Sequence, residues 1–531
     1  MIPIKIVCGC GQKYSFEVDP SSGATVCAIQ CPVCGADGSE AANQMIAEQS
    51  ANRQGGLQVR RHPLVEPPPK VEPPKAPRLN SQAELRKRPK GWLVPALGVS
   101  AIVVVALLIG IIASAVHATN KTPNPAASIN TAGLPRSLVE LNAWYAEPGQ
   151  GKNAAEHYLR AFSSMHISSV KLLPPTARMP AYTKSGLRGM VESNAEALQL
   201  LREGAKHELS RYPLDLTQGF ETTLPHLGKL RDATKLLLFA ATIHAEEQNC
   251  QEATADVLAA LALGRSLQTE PLLLSQFIRG ASISTALAAL EQTLNRTHLS
   301  PENLTLLARM FEQLELSEAR GDAFNRAMSG ERATALSILD APKVFLAKLT
   351  SPGGANVMKA DEREKWISCL QNTGNFKAEL QYYETTFQKL MEVRRQVFPA
   401  RLRAGDYIGQ RTTEAKTTGM VMNDLLMPGR VGTASKEAEC LAHFRLGVAA
   451  IALEQFRAAH ANRYPAALSD LPRQNSPDAL KDPFNGEPLR YEHKGLGYVL
   501  YSIGPNLSDD SGERTKGKDI VFEVGGFAGT P

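Results

Sequence analysis

Two pairs of closely spaced cysteines near the amino terminus are the residues of this sequence that point most directly to a chemical role. Cys8 and Cys10 are separated by a glycine, and Cys31 and Cys34 belong to the stretch Cys-Pro-Val-Cys-Gly. Thiolates paired on tight turns can close a tetrahedral cage around a metal ion, with every position filled by protein. The spacing therefore predicts a structural zinc site at Cys8, Cys10, Cys31 and Cys34, with no open position for catalysis.

The residues between the two pairs alternate as in a β-hairpin, and the whole segment resembles a zinc ribbon. Tyr14, Phe16 and Val18 are the alternating apolar positions. The first pair departs from the commonest Cys-x-x-Cys spacing, which leaves Cys27 as an alternative ligand, and a rubredoxin-like iron site is the alternative to zinc. We expect residues 1–38 to form a zinc-ribbon-like domain, because so short a segment needs a metal to stay folded.

The element that must position this module is the uncharged apolar run from Leu93 to Val116. It exceeds the roughly 18 apolar residues that indicate a membrane-crossing helix, so we predict a transmembrane helix over residues 92–117, in contact with membrane lipid. A cleaved signal peptide is the alternative, because Ala113-Ser114-Ala115 fits an A-x-A cleavage site. The run is longer than the apolar region of most signal peptides and is preceded by some 90 other residues, which favours an uncleaved anchor.

Charge around the run predicts its orientation. Lys and Arg outnumber Glu between Ala51 and Lys90, and this segment accounts for the net charge of +5. The first basic residue after the run is Lys121, so the positive-inside rule predicts a cytoplasmic amino terminus and an extracytoplasmic bulk. Because the rest of the chain is nearly neutral, the charge favours contact with anionic lipid, and no nucleic-acid partner is predicted.

Residues flanking the span are predicted to be tethers. Residues 39–91 are rich in proline and charged side chains, which predicts a disordered basic linker, and residues 118–135 form a polar stalk. Within the span, Ala106, Gly110 and Ser114 recur at every fourth position, a pattern that allows close approach of two helices and a homo-oligomer.

The reduced cytosol favours metal binding for the amino-terminal cysteines. Cys250, Cys369 and Cys440 lie beyond the span, and the sequence does not determine which of them pair.

Residues 136–437 show helical periodicity and are predicted to form a mainly α extracytoplasmic domain. Its clearest part, Gly228 to Thr269, predicts two amphipathic helices joined by a short turn near Asn249, an αα-hairpin. The hairpin resembles one tetratricopeptide-type repeat, but the sequence has no second copy at that period, so an irregular helical bundle is the preferred interpretation. Further helices are predicted at Pro271 to Leu294, Pro301 to Glu318, Ala323 to Leu339 and Phe376 to Val397.

Residues 438–531 are predicted to form a small α+β domain. A long amphipathic helix over Ala438 to Asn462 is followed by three short alternating segments, Leu489 to Glu492, Tyr498 to Ile503 and Ile520 to Val524. Glycine and proline punctuate these segments, which predicts three antiparallel strands packed on the helix.

This carboxyl-terminal segment resembles the globular domain of the type II secretion major pseudopilin. The resemblance is carried by Arg463-Tyr464-Pro465, by the Asp482-Pro483-Phe484-Asn485-Gly486 stretch, by Gly504-Pro505 after the second strand, and by Asp519-Ile520. It implies a calcium-binding loop before the last strand, in which Asp519 matches a family ligand and Asn506, Ser508, Asp509 and Asp510 offer further oxygens. Gly517 and Lys518 stand where a further acidic residue is expected, and turn formation is the preferred role of these side chains.

The combined organisation resembles bacterial membrane proteins that carry a zinc ribbon at one end and a pseudopilin-like tail at the other. The resemblance implies a location in the bacterial cytoplasmic membrane and no particular activity. The motifs of metalloproteases, serine hydrolases and nucleotide-binding proteins are absent from the sequence. We therefore expect a non-enzymatic interaction or scaffold protein with unidentified protein partners. The alternatives are an accessory component of a secretion system and an envelope enzyme with its site in the helical domain.

Overall fold

The computed structural model describes residues 2–7, 13–18, 133–145, 148–149, 152–167, 174–341, 373–472, 474–515 and 517–526, with isolated positions between 341 and 373. The chain divides into two compact units, Met1–Gly91 and Trp92–Pro531. The predicted ligands Cys8, Cys10, Cys31 and Cys34, the alternative ligand Cys27, the basic linker, the predicted span 92–117 and most of the stalk lie outside the described residues.

The described part of the first unit is an antiparallel hairpin of β1 (Ile2–Val7) and β2 (Lys13–Val18). Its register places Ile2, Ile4 and Ile6 opposite Val18, Phe16 and Tyr14. Since paired residues share a face, one face of the hairpin carries apolar residue types at all three positions. The strand predicted from the alternation at residues 14, 16 and 18 is thus confirmed, but its partner strand, residues 2–7, precedes the first cysteine pair and does not lie between the two pairs as predicted.

The second unit is mainly helical, as the periodicity predicts. Short 3-10 turns at Leu216–Glu221, Ala400–Leu402, Pro428–Arg430 and Leu468–Asp470 connect some of its elements. The helices are α1 (Leu138–Trp144), α2 (Ala154–Ser164), α3 (Ala181–Ser193), α4 (Ala195–Ala205), α5 (Pro225–Glu246), α6 (Cys250–Arg265), α7 (Leu273–Leu294), α8 (Pro301–Arg320), α9 (Asp322–Asp340), α10 (Thr373–Arg394), α11 (Arg403–Thr418), α12 (Val421–Leu426) and α13 (Thr433–Ala459).

Helices α2 to α8 stack in two layers. In one layer α2 packs on α4, α4 on α6, and α6 on α8, while in the other α3 packs on α5 and α5 on α7. The predicted αα-hairpin is α5 and α6, which also pack on each other. No repeat of this hairpin is visible in the sequence. Such stacks are stabilised because each helix buries its apolar face against helices of the other layer.

Among the described residues, one helix, α7, is long and apolar enough to cross a membrane. More than half of its most apolar window is buried within the protein. It packs on α5, α6 and α13, so a central position in the core accounts for its composition.

The carboxyl-terminal segment consists of α13 and the three-stranded antiparallel sheet β3 (Arg490–Lys494), β4 (Gly497–Ser502) and β5 (Ile520–Val524). The central strand β4 pairs Leu500 with Phe522 on β5. Both side chains are buried in a core shared with α5, α7, α8 and α13. The predicted helix followed by three strands is confirmed, and α13 begins five residues before its predicted start.

Glu291 on α7 and Asn295, the residue after its end, bind the free edge of the sheet. Glu291 accepts a hydrogen bond from the Glu523 amide at 2.6 Å. Asn295 donates to the Glu523 carbonyl at 2.7 Å and accepts from the Gly525 amide at 2.8 Å. Two side chains one helical turn apart thus satisfy backbone groups that another strand would otherwise bind.

Candidate functional site

A cluster of buried charge joins side chains of α7, α8, α10 and α13. Glu437 on α13 accepts hydrogen bonds from Arg394 Nη2 and Arg401 Nη1, each at 2.7 Å. Arg279 on α7 binds Glu318 on α8 with Nη2 to Oε2 at 2.6 Å. All five side chains are buried, so each charge depends on its partners for the stabilisation that water would otherwise supply. We call these five residues the buried ion cluster.

The backbone beside the buried ion cluster has a glycine, Gly321, where a side chain would collide with the cluster. Gly321 joins α8 to α9 with φ at +78°, and a Cβ atom there would lie 2.5 Å from Arg401 Nη1 and 2.7 Å from Glu437 Oε1. Any side chain would therefore displace the ion pair. Arg401 also donates to the Ala319 carbonyl at 2.8 Å, which binds one of the carbonyl groups left free at the end of α8.

Cys440 is buried beside this cluster. Burial raises the pKa of the thiol well above its usual value, and the nearby Glu318 carboxylate adds to the effect. Burial likewise raises the pKa of Glu318, against the opposing charge of Arg279. A thiol in this state is a poor nucleophile, because the thiolate is the reactive form. The ion pairs of the cluster join α7 to α8 and α10 to α13.

A second polar cluster links α4, α5 and α6. Asp256 is buried, and its Oδ2 lies 2.7 Å from His244 Nδ1, while its Oδ1 accepts from Arg202 Nε at 2.8 Å. Burial raises the pKa of Asp256, and the hydrogen bond from His244 opposes this. The His244 side chain is partly buried, and Asp256 binds one of its two ring nitrogens.

Other histidines that are scattered in the sequence come together in the fold. The rings of His157 and His207 stack at 5.1 Å between centroids. His226 Nε2 lies 3.0 Å from Glu270 Oε2, and its ring stacks on Tyr212 at 4.3 Å. Within the described ranges, however, no group of three or more His, Cys, Asp or Glu side chains is arranged to hold a metal ion.

The carboxylates of the loop implicated in calcium binding are engaged by other groups. Asp519 accepts from the backbone amides of Asp510 at 3.3 Å and Gly512 at 2.7 Å. Asp510 accepts from the Asn506 amide group at 2.7 Å. Asp509 lies 3.1 Å from both Arg490 Nε and the Tyr501 hydroxyl.

A lysine supplies the positive charge in the same loop. Lys518 Nζ lies 2.5 Å from Glu513 Oε2 and 3.7 Å from Asp510 Oδ1. Calcium requires about six to eight oxygen ligands with lone pairs directed at the ion. The described carboxylates are instead turned towards amide and ammonium donors, so this arrangement does not fit a calcium ion.

Cys250 and Cys440 are both free thiols, and Cys369 lies outside the described residues. Cys250 begins α6 and its sulfur lies 3.0 Å from the Thr297 hydroxyl.

Comparisons with protein-family models, with curated proteins and with solved structures found no match.

The buried ion cluster was not predicted from the sequence. Its only signal is the presence of charged residues within apolar helical stretches, such as Arg279 in α7 and Glu437 at the start of α13. Partners more than 35 residues apart along the chain cannot be assigned from such a signal.

Proposed function

We propose that the protein is a non-enzymatic, single-pass membrane-anchored interaction protein. In this proposal residues 92–117 anchor it in the bacterial cytoplasmic membrane, and residues 1–38 carry a structural zinc ion on the cytoplasmic side. The second unit beyond the span binds envelope proteins. The observation that carries the proposal is the two-layer stack of α2 to α8, because stacked helix pairs present the extended surfaces that repeat proteins use to bind partners.

The buried ion cluster supports this role by making the second unit rigid. Its ion pairs join α7 to α8 and α10 to α13, and Arg401 links Glu437 on α13 to the Ala319 carbonyl at the end of α8. A surface held in its binding conformation before contact loses less conformational entropy on association, and this favours affinity.

The topology is tested by labelling with a membrane-impermeant maleimide. Tyr182 is 78% exposed, so Tyr182→Cys should react in intact spheroplasts. Gln54→Cys, in the basic linker, should react only after lysis. The unsubstituted chain measures background from the native cysteines. Reaction of Gln54→Cys before lysis would contradict the proposed orientation.

Partner binding is tested with photoreactive amino acids on the helical stack. Leu306 on α8 is 49% exposed, whereas Leu304 on the same helix is 1% exposed. Substitution at Leu306, at Gln199 on α4 and at Leu159 on α2 should yield cross-links to other proteins, with Leu304 as the buried control. If the exposed positions cross-link only to lipid, or give no adduct, the stack is not a docking surface.

The zinc ion is tested by metal analysis of the full chain. Four protein thiolates should bind about one zinc ion per chain. Replacing Cys31 and Cys34 with serine should remove it, and Cys250→Ser should not. Iron in place of zinc would favour the rubredoxin-like alternative.

A second candidate function is that of an accessory component of a type II secretion-like system. The observation that favours it is the order of α13 and strands β3 to β5, which is the order implied by the pseudopilin resemblance. Affinity purification from cross-linked membranes distinguishes the candidates. Recovery of secretion components supports the second, recovery of other envelope proteins supports the first, and recovery of neither counts against both.

A further inference from the structure

The three-stranded sheet has two edges, β5 and β3, and α7 covers the edge at β5. The Glu523 amide on β5 donates to Glu291 on α7, so the backbone groups of Glu523 point away from β4. In an antiparallel sheet both backbone groups of a residue point to the same side, and that side alternates along the strand. Val499, which lies opposite Glu523 on β4, therefore directs its backbone groups to Glu492 on β3.

The outer edge of β3 is open beyond its first residue. Tyr491 and His493 flank Glu492, so their backbone groups point away from the sheet. Just before the strand this edge is closed, because the Leu489 amide donates to the Leu480 carbonyl at 2.8 Å. Within the described ranges, no other backbone group binds Tyr491 or His493 on this side. Unpaired N–H and C=O groups in a row are a template for another strand.

One face of β3 carries charges of alternating sign. Arg490, Glu492 and Lys494 share this face, because side chains two residues apart in a strand point the same way. Glu492 and Lys494 are 63% and 53% exposed and bind each other at 3.2 Å, whereas Arg490 is bound to Asp509 at 3.1 Å. An exposed pair contributes little stability and is readily exchanged for another. Edge charges oppose pairing with an apolar strand, so a partner strand has to supply matching charges.

We infer that β3 pairs with β3 of a second copy of this chain, antiparallel and centred on His493, so that the two sheets become continuous. In this register Glu492 lies opposite Lys494 of the second copy, and the twofold symmetry forms this pair twice. The two side chains lie between hydrogen-bonded pairs, where cross-strand neighbours are closest. Tyr491 lies opposite Gly495 of the second copy, and even a Cβ atom at Gly495 would have no atom of its own chain within 4 Å.

The charges and the closed part of the edge exclude the neighbouring registers. Pairing centred on Glu492 would place Glu492 opposite itself and Lys494 opposite Arg490, and like charges directly opposite each other are destabilising. Pairing centred on Tyr491 would require the outer backbone groups of Leu489, whose amide is already bonded within the chain.

The strand pair is tested by trapping it as a disulfide in whole cells that produce the full chain. So short an edge buries less than the roughly 1,200–2,000 Å² of stable interfaces, so the association is weak and is best captured covalently. His493→Cys places two thiols on paired residues whose Cα atoms are about 5.5 Å apart, within reach of a disulfide. Copper phenanthroline is the oxidant, and the dimer is measured on a non-reducing gel.

His493→Cys should give more disulfide dimer than either control. Tyr182→Cys places an equally accessible thiol on α3, where Tyr182 is 78% exposed. The unsubstituted chain measures the background from the native cysteines.

The register is tested by reversing the charges in the His493→Cys chain. Glu492→Lys alone, or Lys494→Glu alone, places like charges opposite each other at both symmetric positions. The dimer yield of each variant should fall about two- to thirtyfold, since each cross-strand charge pair is lost and replaced by repulsion.

The two charge variants, produced together with different epitope tags, should restore the yield as a mixed dimer. Opposite charges then face each other between the chains, while within each chain the pair of residues 492 and 494 stays repulsive. Recovery of the mixed dimer therefore reports on contact between chains, and it also shows that both variants fold.

Three results would overturn the inference. Equal dimer yields from His493→Cys and Tyr182→Cys would show that the copies meet through another surface, such as the predicted span. A His493→Cys adduct with a different protein, and none with a second copy, would show that the edge binds another partner. Homodimers of the two charge variants as abundant as their mixed dimer would show that β3 does not pair in this register.

Discussion

The negative charge of Glu437 is expected to contribute strongly to the stability of the folded protein. Its carboxylate binds two buried arginines, and neither arginine has access to bulk water. Glu437→Gln removes the charge but keeps the volume, leaving Arg394 and Arg401 without their counter-ion. We expect the free energy of unfolding to fall by about 3–5 kcal/mol, measured by urea denaturation.

A matched control for that substitution is Glu392→Gln. Glu392 forms an exposed ion pair with Lys389 on the surface of α10, and such pairs contribute little to stability. No measurable change in the denaturation midpoint is expected. Equal effects of the two substitutions would show that the buried ion cluster contributes no more than a surface pair.

His443 should make stability depend on pH. Burial lowers its pKa from 6.5 to about 4, and the charge of Lys436 adds to the effect. Between these values the unfolded chain binds a proton that the folded protein does not, so stability rises with pH in this range and is lost as pH falls. At about 1.36 kcal/mol per unit of pKa difference, the full loss is about 3 kcal/mol.

The contribution of His443 is isolated by comparison with His443→Gln, which does not titrate. The stability of the unsubstituted protein relative to this variant should decrease by about 3 kcal/mol between pH 7.5 and pH 4. Parallel pH profiles for the two proteins would show that the imidazole is protonated equally well in the folded state.

At the scale of elements, the crossing of α8 and α13 depends on a glycine. A Cβ atom at Gly447 would lie 2.1 Å from the buried ring of Phe311. Gly447→Ala must therefore separate the helices or move the ring, and we expect a loss of about 1–3 kcal/mol in the free energy of unfolding.

Gly409→Ala is the control for this substitution, because it changes a helical glycine that has no atom within 4 Å of the new Cβ position. It lies in α11 and should stabilise the protein by about 0.5–1 kcal/mol through the higher helix propensity of alanine. Opposite signs for the two glycine substitutions in urea denaturation would confirm the close helix crossing. Stabilisation by both would contradict it.

At the scale of the whole molecule, α13 and the sheet complete the core of the helical stack. Phe311 and Leu307 on α8 share this core with Phe444 on α13 and with Leu500 and Phe522 of the sheet. A chain that ends at residue 432 would expose this apolar surface to water. We expect residues 133–432 to aggregate or to lose near-ultraviolet circular dichroism, and residues 133–531 to unfold cooperatively. Cooperative unfolding of the shorter chain would contradict this expectation.

Local patterns predicted the described elements well. The strand β2, the pair α5–α6 and the order of α13 and strands β3 to β5 all follow from apolar periodicity and from glycine and proline positions. These signals depend on neighbours a few residues away, so the sequence alone is sufficient for them. The membrane span and the cysteine ligands are also local patterns, and they stay predictions.

The tertiary structure decided how those elements are combined. It stacks α2 to α8 in two layers, places α7 at the centre, and brings Arg279, Glu318, Arg394, Arg401 and Glu437 together from four helices and a 3-10 turn. It also directs Lys518 towards Asp510 and Glu513. The physical reason is that burial and ion pairing depend on distances in space between residues far apart in the chain, which periodicity does not encode. The metal proposed for the cysteine pairs rests on their spacing in the sequence, and it stays a prediction.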